Sequence, residues 1–218
     1  LHVFNVPTLG NYSVSFFFVL SGFLMTLIMN ESYGYNIKGF KVFWQNRILR
    51  LYPVYYVILL LTLILIILFP NVNRIDSIDI PNSFFDWLTN LTMIYPNIVP
   101  HRIEPRLVEQ SWALTNEIFF YLLISLGLSK SLNRTIIWVI ISILYYVFTY
   151  NFYDLATFRY SAIPAASLPF SLGGLLYWII KKFNVFKKHN FLLIIIYLIL
   201  FYINGIYGKK FGDISIYL

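Results

Sequence analysis

Along the 218 residues, long apolar runs alternate with short polar connectors. Six runs, at 13–29, 52–70, 111–128, 135–151, 162–180 and 190–207, are long enough, or nearly so, to cross a hydrocarbon core of about 30 Å, which takes roughly 20 helical residues. A shorter run, 84–96 (FFDWLTNLTMIYP), carries Asp86 and Asn90 and is bounded by Pro81 and Pro96, which predicts an interfacial or re-entrant helix. The pattern predicts an all-α fold: a polytopic transmembrane bundle of about six spanning helices plus that short one. No internal repeat, low-complexity linker or second domain interrupts it, so residues 1–218 read as a single membrane-embedded domain. The chain opens at Leu1, inside what reads as the trailing end of an apolar helix, and closes on DISIYL, which resembles the start of a further element. A fragment incomplete at both ends is therefore expected. The start shows no signal-peptide pattern.

Composition agrees with this pattern, being 59% hydrophobic and only 11% charged, far from a soluble domain with a polar surface. Charge then orients the bundle, because Lys and Arg in short loops favour the cytoplasmic side. Alternate loops hold Lys38, Lys41, Arg47 and Arg50, then Lys130 and Arg134, then Lys181, Lys182, Lys187 and Lys188, with Glu31 as their one acid. The opposite loops hold most of the acids, including Asp76, Asp79, Asp86, Glu104 and Glu109 in the segment 71–110. The net charge of +7 thus follows from topology, and no basic stripe interleaved with aromatics suggests a nucleic-acid partner. Aromatic residues read by default as lipid-facing bulk and interfacial belts. With no cysteine, thiol nucleophiles, disulfides and thiolate metal sites are excluded.

Within SWALTNEIFFYLL (111–123) a glutamate, Glu117, interrupts residues that belong in lipid. A carboxylate at bilayer depth costs about 2.5–3.5 kcal/mol on insertion scales, so it needs a partner, a cavity or a substrate. On a helix, Leu114, Glu117, Tyr121, Ser125 and Leu128 share a face. A reactive carboxylate, a hydrogen bond that merely holds the bundle, and an ion-coupling group in a transporter all fit this placement. In FWQNRILRLYPVYYV, Arg47 and Arg50 lie three apart on one face, where two guanidiniums can grip a phosphate. Simple cytoplasmic anchoring explains them equally well. Pro53 suits the first turn of the helix entering the membrane. In SVSFFFVLSGFLMTLI, the small residues Ser15, Ser21 and Gly22 suggest close helix packing. His2, near the outer interface, has the chemistry of a general base. His101 and His189 suggest nothing beyond surface positions, and three scattered histidines do not form a metal cluster. No GxSxG elbow, Walker glycine loop, dinucleotide fingerprint or HExxH sequence is present.

Taken in order, SVSFFFVLSGFLM, FWQNRILRLYPVYY and SWALTNEIFFYLL, with a weaker match in LPFSLGGLLYWI, resemble the membrane-bound acyltransferase 3 family, the O-acetyltransferases of bacterial surface polysaccharides. The resemblance spans residues 2–180. It implies about ten spanning helices in whole members, placement in the bacterial plasma (inner) membrane, and transfer of an acyl group from cytoplasmic acyl-CoA, usually acetyl-CoA, to an extracytoplasmic sugar hydroxyl. No metal is implied; the partners would be acyl-CoA, a carbohydrate acceptor and membrane lipid. By its spacing from the SGF segment, His2 would be the family's catalytic histidine. The resemblance further implies that Arg47 and Arg50 hold the CoA phosphates at the cytoplasmic mouth. Glu117 would orient or charge His2 or bind the sugar, with Ser111, Trp112 and Tyr121 shaping the site. A transporter or flippase of a lipid-linked or anionic substrate, using Glu117 as its coupling carboxylate, is the competing reading, and a non-catalytic polytopic scaffold is a third. The absence of the pseudo-repeats common in transporters weighs against the former.

Overall fold

The computed structural model describes residues 9–72 and 74–183, and within them every regular element is helical. Six α-helices occur in order: α1 (Leu9–Ile28), α2 (Ile37–Leu68), α3 (Phe84–Thr92), α4 (Ser111–Ser125), α5 (Leu132–Phe152) and α6 (Ile163–Phe183). Two π-helical segments, Met29–Tyr33 and Leu155–Ser161, follow α1 and precede α6. Four stretches are long and apolar enough to cross a membrane: Ser13–Tyr33, Ile37–Leu68, Leu132–Tyr150 and Ile163–Lys182. The polytopic helical class read from the apolar pattern holds. The expected span at 190–207 lies outside the described residues.

Two elements depart from the pattern. Helix α2 begins at Ile37, well before the expected 52, and Pro53 sits in its interior instead of its first turn. Asn36 supplies the true start, its side chain accepting from Gly39 N at 2.7 Å. Lys38, Lys41, Gln45, Arg47 and Arg50 are polar yet helical, so the helix starts well before its apolar run; its 32 residues rise about 48 Å, more than a hydrocarbon core. Helix α4 has only 15 residues, about 22 Å, and ten of them are buried. It is less a wall of the bundle than its axis.

Aromatic side chains tie the other helices to α4. Phe18 of α1 stacks on Phe170 of α6 at 5.2 Å, Phe170 on Phe120 of α4 at 4.8 Å, and Phe120 on Trp138 of α5 at 5.9 Å. The α1–α6 seam is closer still. A Cβ on Gly22 would stand 2.1 Å from the Phe170 carbonyl oxygen, and one on Gly173 would stand 2.0 Å from that of Val19. In lipid, where burial from water drives little helix association, such backbone approach supplies the packing. LPFSLGGLLYWI is the α6 side of this seam. At its far end Lys181 pairs with Glu31 at 2.7 Å, and Tyr177 donates to the same carboxylate at 2.5 Å.

The short helix α3 dips into the bundle. Its last carbonyls have no intrahelical partner and in lipid would be costly to leave bare. Three tyrosines of α2 meet them: Tyr55 donates to Asn90 O at 2.6 Å, Tyr52 to Thr92 O at 2.7 Å and Tyr56 to Leu91 O at 2.9 Å. These tyrosines follow Arg50 within two turns, so α3 is re-entrant, reaching back along α2 from the side of Leu68. The non-helical return is anchored at alternate residues: Met93 and Tyr95 are fully enclosed, and Thr115 of α4 donates to Met93 O at 3.0 Å. Asn90 completes the turn, accepting from Leu107 N at 2.8 Å and donating to Pro105 O at 2.9 Å. Nearby, buried Arg106 pairs with Glu109 at 3.2 Å and donates to the His101 carbonyl.

Gly173→Ala is expected to force α1 and α6 apart and to lower stability by about 1–3 kcal/mol, read from thermal unfolding of the detergent-solubilised protein. In the re-entrant loop, partial burial first, then Arg106 and Arg102, hold the His101 imidazole below its ordinary value. The unfolded chain then binds a proton that the folded chain refuses, so stability should fall as pH drops through the ordinary histidine range near 6.5. Unfolding temperatures followed by tryptophan fluorescence across that range should show the fall, and His101→Gln should flatten it.

Candidate functional site

Glu117 lies two turns into α4 and is 1% exposed. Its Oε1 accepts from Tyr121 of the same helix, one turn on, and from Ser21 Oγ of α1 at 2.9 Å. Another turn along, Ser125 Oγ accepts from Trp44 Nε1 of α2 at 3.3 Å. The face read from the sequence is thus the one on which α1, α2 and α4 meet. Leu114 and Leu128 belong to its two ends, packed against the apolar clusters around Tyr55 and around Phe43. Ser21, expected only to permit close packing, also donates to the carboxylate.

The second carboxylate oxygen, Oε2, is buried and has no hydrogen-bond partner among the described residues. On the facing side of α2, Arg47 is half-buried, its Nε and Nη1 likewise enclosed and unpartnered. The guanidinium lies over the Phe43 ring at 5.7 Å, and Phe43 meets Tyr121 edge-on at 6.0 Å. Arg50 is exposed. Both arginines act electrostatically on the Glu117 carboxylate, yet neither forms an ion pair with it among the described residues. The Arg-x-x-Arg pair is therefore split by burial: one guanidinium is half-buried over Phe43 and the other is exposed. The two arginines and Glu117 belong to one site, closer together than a mouth-to-outer-face arrangement would put them.

Ser111 and Trp112 stand elsewhere on α4. Both are buried at its first turn, Ser111 with its N–H on Val108 O at 3.0 Å and Trp112 against Tyr160 at 5.3 Å. They border the re-entrant loop and the Leu155–Ser161 π-segment, not the carboxylate face. Asn116, missed in the sequence, is fully buried and donates to Ser161 O at 3.2 Å. His2 lies outside the described residues. No group of three His, Asp or Glu side chains that could hold a metal ion occurs among the described residues.

Such an arrangement, a buried carboxylate with one oxygen held and the other unpartnered and a half-buried, unpartnered guanidinium on the neighbouring helix, has the chemistry to bind a ligand that offers both a donor and an acceptor. The sequence profile of the family described as an acyltransferase domain matches residues 1–216. The chain belongs to the acyltransferase 3 family. Over 130 residues this acyltransferase-family chain is 30% identical to a protein of Bacillus subtilis (strain 168) named "Putative peptidoglycan O-acetyltransferase YrhL". That alignment covers 55% of the chain but only 19% of the relative, so the chain spans about a fifth of that protein's length. No solved structure shows a significant match.

Removing either donor leaves Glu117 Oε1 with one buried hydrogen bond in place of two. Tyr121→Phe and Ser21→Ala are each expected to destabilise by about 1–3 kcal/mol in thermal unfolding of the solubilised protein. Glu117→Gln, which keeps the shape and an acceptor oxygen, should be milder.

Proposed function

We propose that this domain carries out the membrane step of an O-acyltransferase, moving an acyl group, acetyl above all, from cytoplasmic acyl-CoA to a hydroxyl of an extracytoplasmic or cell-surface polysaccharide. The bacterial plasma (inner) membrane is the proposed location. One observation carries the reading: Glu117 Oε2 is buried and unpartnered among the described residues, as are Nε and Nη1 of Arg47, and both Arg50 and Arg47 act electrostatically on that carboxylate. Buried polar groups are rarely left unpaired, and a donor and an acceptor in this state are groups that a polar ligand can satisfy.

The donor's polar atoms suit those groups. Exposed Arg50 would meet the CoA phosphates, while half-buried Arg47 would hold the pantetheine or the thioester carbonyl with a fork that lysine cannot reproduce. Attack by the sugar hydroxyl on the thioester carbon forms the ester and expels CoA thiolate. The hydroxyl proton goes to a base, proposed to be His2. Glu117, held by Tyr121 and Ser21, would fix the orientation of that base or accept from the sugar. Ser111 and Trp112 would act from the re-entrant loop side, bounding the acceptor's approach. The relative's name speaks of peptidoglycan, one member of the proposed acceptor class.

Acetyl transfer by the full-length protein in proteoliposomes tests the proposal. Wild type should place labelled acetyl from acetyl-CoA on an acceptor across the membrane, and Glu117→Gln and His2→Ala should each lower this by about 10²–10⁴-fold. Arg47→Lys should raise KM for acetyl-CoA more than it lowers kcat. Absence of any CoA-dependent transfer from well-folded wild type would overturn the reading.

A further inference from the structure

On the opposite side of α4 from Glu117, a cleft of about 1020 Å³ opens between α4, α5 and α6. Its walls are apolar, with Phe119, Leu123, Ile137 and Ile141 among them, and the first, third and fourth of these are well exposed toward the surroundings of the bundle. The few polar groups partway along are satisfied by one another: Trp138 Nε1 donates to Ser167 Oγ at 2.8 Å, and Ser142 and Ser167 share a 2.7 Å hydrogen bond. The midsection therefore asks nothing polar of an occupant. Along α5 the cleft runs from Arg134 to Tyr145, about 16 Å of helix, close to the depth of one leaflet.

Charge is confined to one end. Arg134 lines the cleft there and spends one N–H on Gly127 O at 3.1 Å. Lys130 lies alongside, its ammonium over the Tyr35 ring at 5.6 Å. Among the described residues no carboxylate pairs with either. Both belong to the Lys- and Arg-rich side of the bundle. An apolar groove between helices with unpaired cations at that end matches a molecule with hydrocarbon chains and an anionic head.

We propose that this cleft is a binding site for an anionic phospholipid of the inner leaflet, its acyl chains lying along α5 and its phosphate at Arg134 with Lys130 beside it. Two occupants compete: the apolar stretch 190–207 of this same chain, and a second copy of the protein.

Native mass spectrometry of the full-length protein, released from nanodiscs of equal phosphatidylglycerol and phosphatidylcholine, decides between them. The proposal expects retained phosphatidylglycerol in preference to phosphatidylcholine. Arg134→Ala should reduce that preference about fivefold, the value of one basic contact at a membrane surface, and Arg134→Lys should keep it. Ile141→Trp, which fills the midsection, should expel both lipids while the protein remains monodisperse and folded. Equal retention of the two lipids, or a preference untouched by Arg134→Ala, overturns the proposal. So does efficient disulfide formation, with any cysteine beyond these cysteine-free 218 residues replaced by serine, between Ile141→Cys and Leu198→Cys in one chain or between Ile141→Cys in two copies.

Discussion

A carboxylate withdrawn from water at the centre of a helical bundle must be met by donors, and Glu117 is met by two helices at once. Tyr121 comes from its own α4 and Ser21 from α1, so the hydrogen bonds that make the charge tolerable also hold those helices in register. The aromatic stack from Phe18 through Phe170 and Phe120 to Trp138 closes the other side of α4. Helix α4 can be short and almost wholly buried because it spans between partners, not between two aqueous faces.

The same constraint shapes the re-entrant segment. Backbone at membrane depth needs partners that water would otherwise supply. Tyr52, Tyr55 and Tyr56 provide them for the last carbonyls of α3, and Asn90 and Thr115 provide them for the return. The arginine segment and the tyrosine segment of α2 are consecutive, which joins the loop's support to the site: the helix that carries Arg47 also anchors α3.

Arg47 and Arg50 show how neighbouring, chemically identical residues acquire different surroundings. Three residues apart on a helix, they are offset by about 60° around the axis. That offset places one guanidinium half-buried over Phe43 and leaves the other exposed.

Apolar run lengths determined by themselves that the chain is a helical membrane bundle, because the thickness of hydrocarbon sets a length that few soluble helices combine with such composition. The i, i+4, i+8 spacing likewise determined that Glu117, Tyr121 and Ser125 share a face, and the ordered motifs determined the family. Only the tertiary structure decided that α2 starts at Ile37 and carries Pro53 in its interior, since the polar residues of its first turns break the apolar pattern without breaking the helix. Only it decided that Ser21 donates to Glu117, that three tyrosines cap α3, and that Gly22 and Gly173 lie against the backbone of the opposite helix. Each of these joins residues far apart in the chain, and one-dimensional periodicity records which face a side chain occupies but not what faces it.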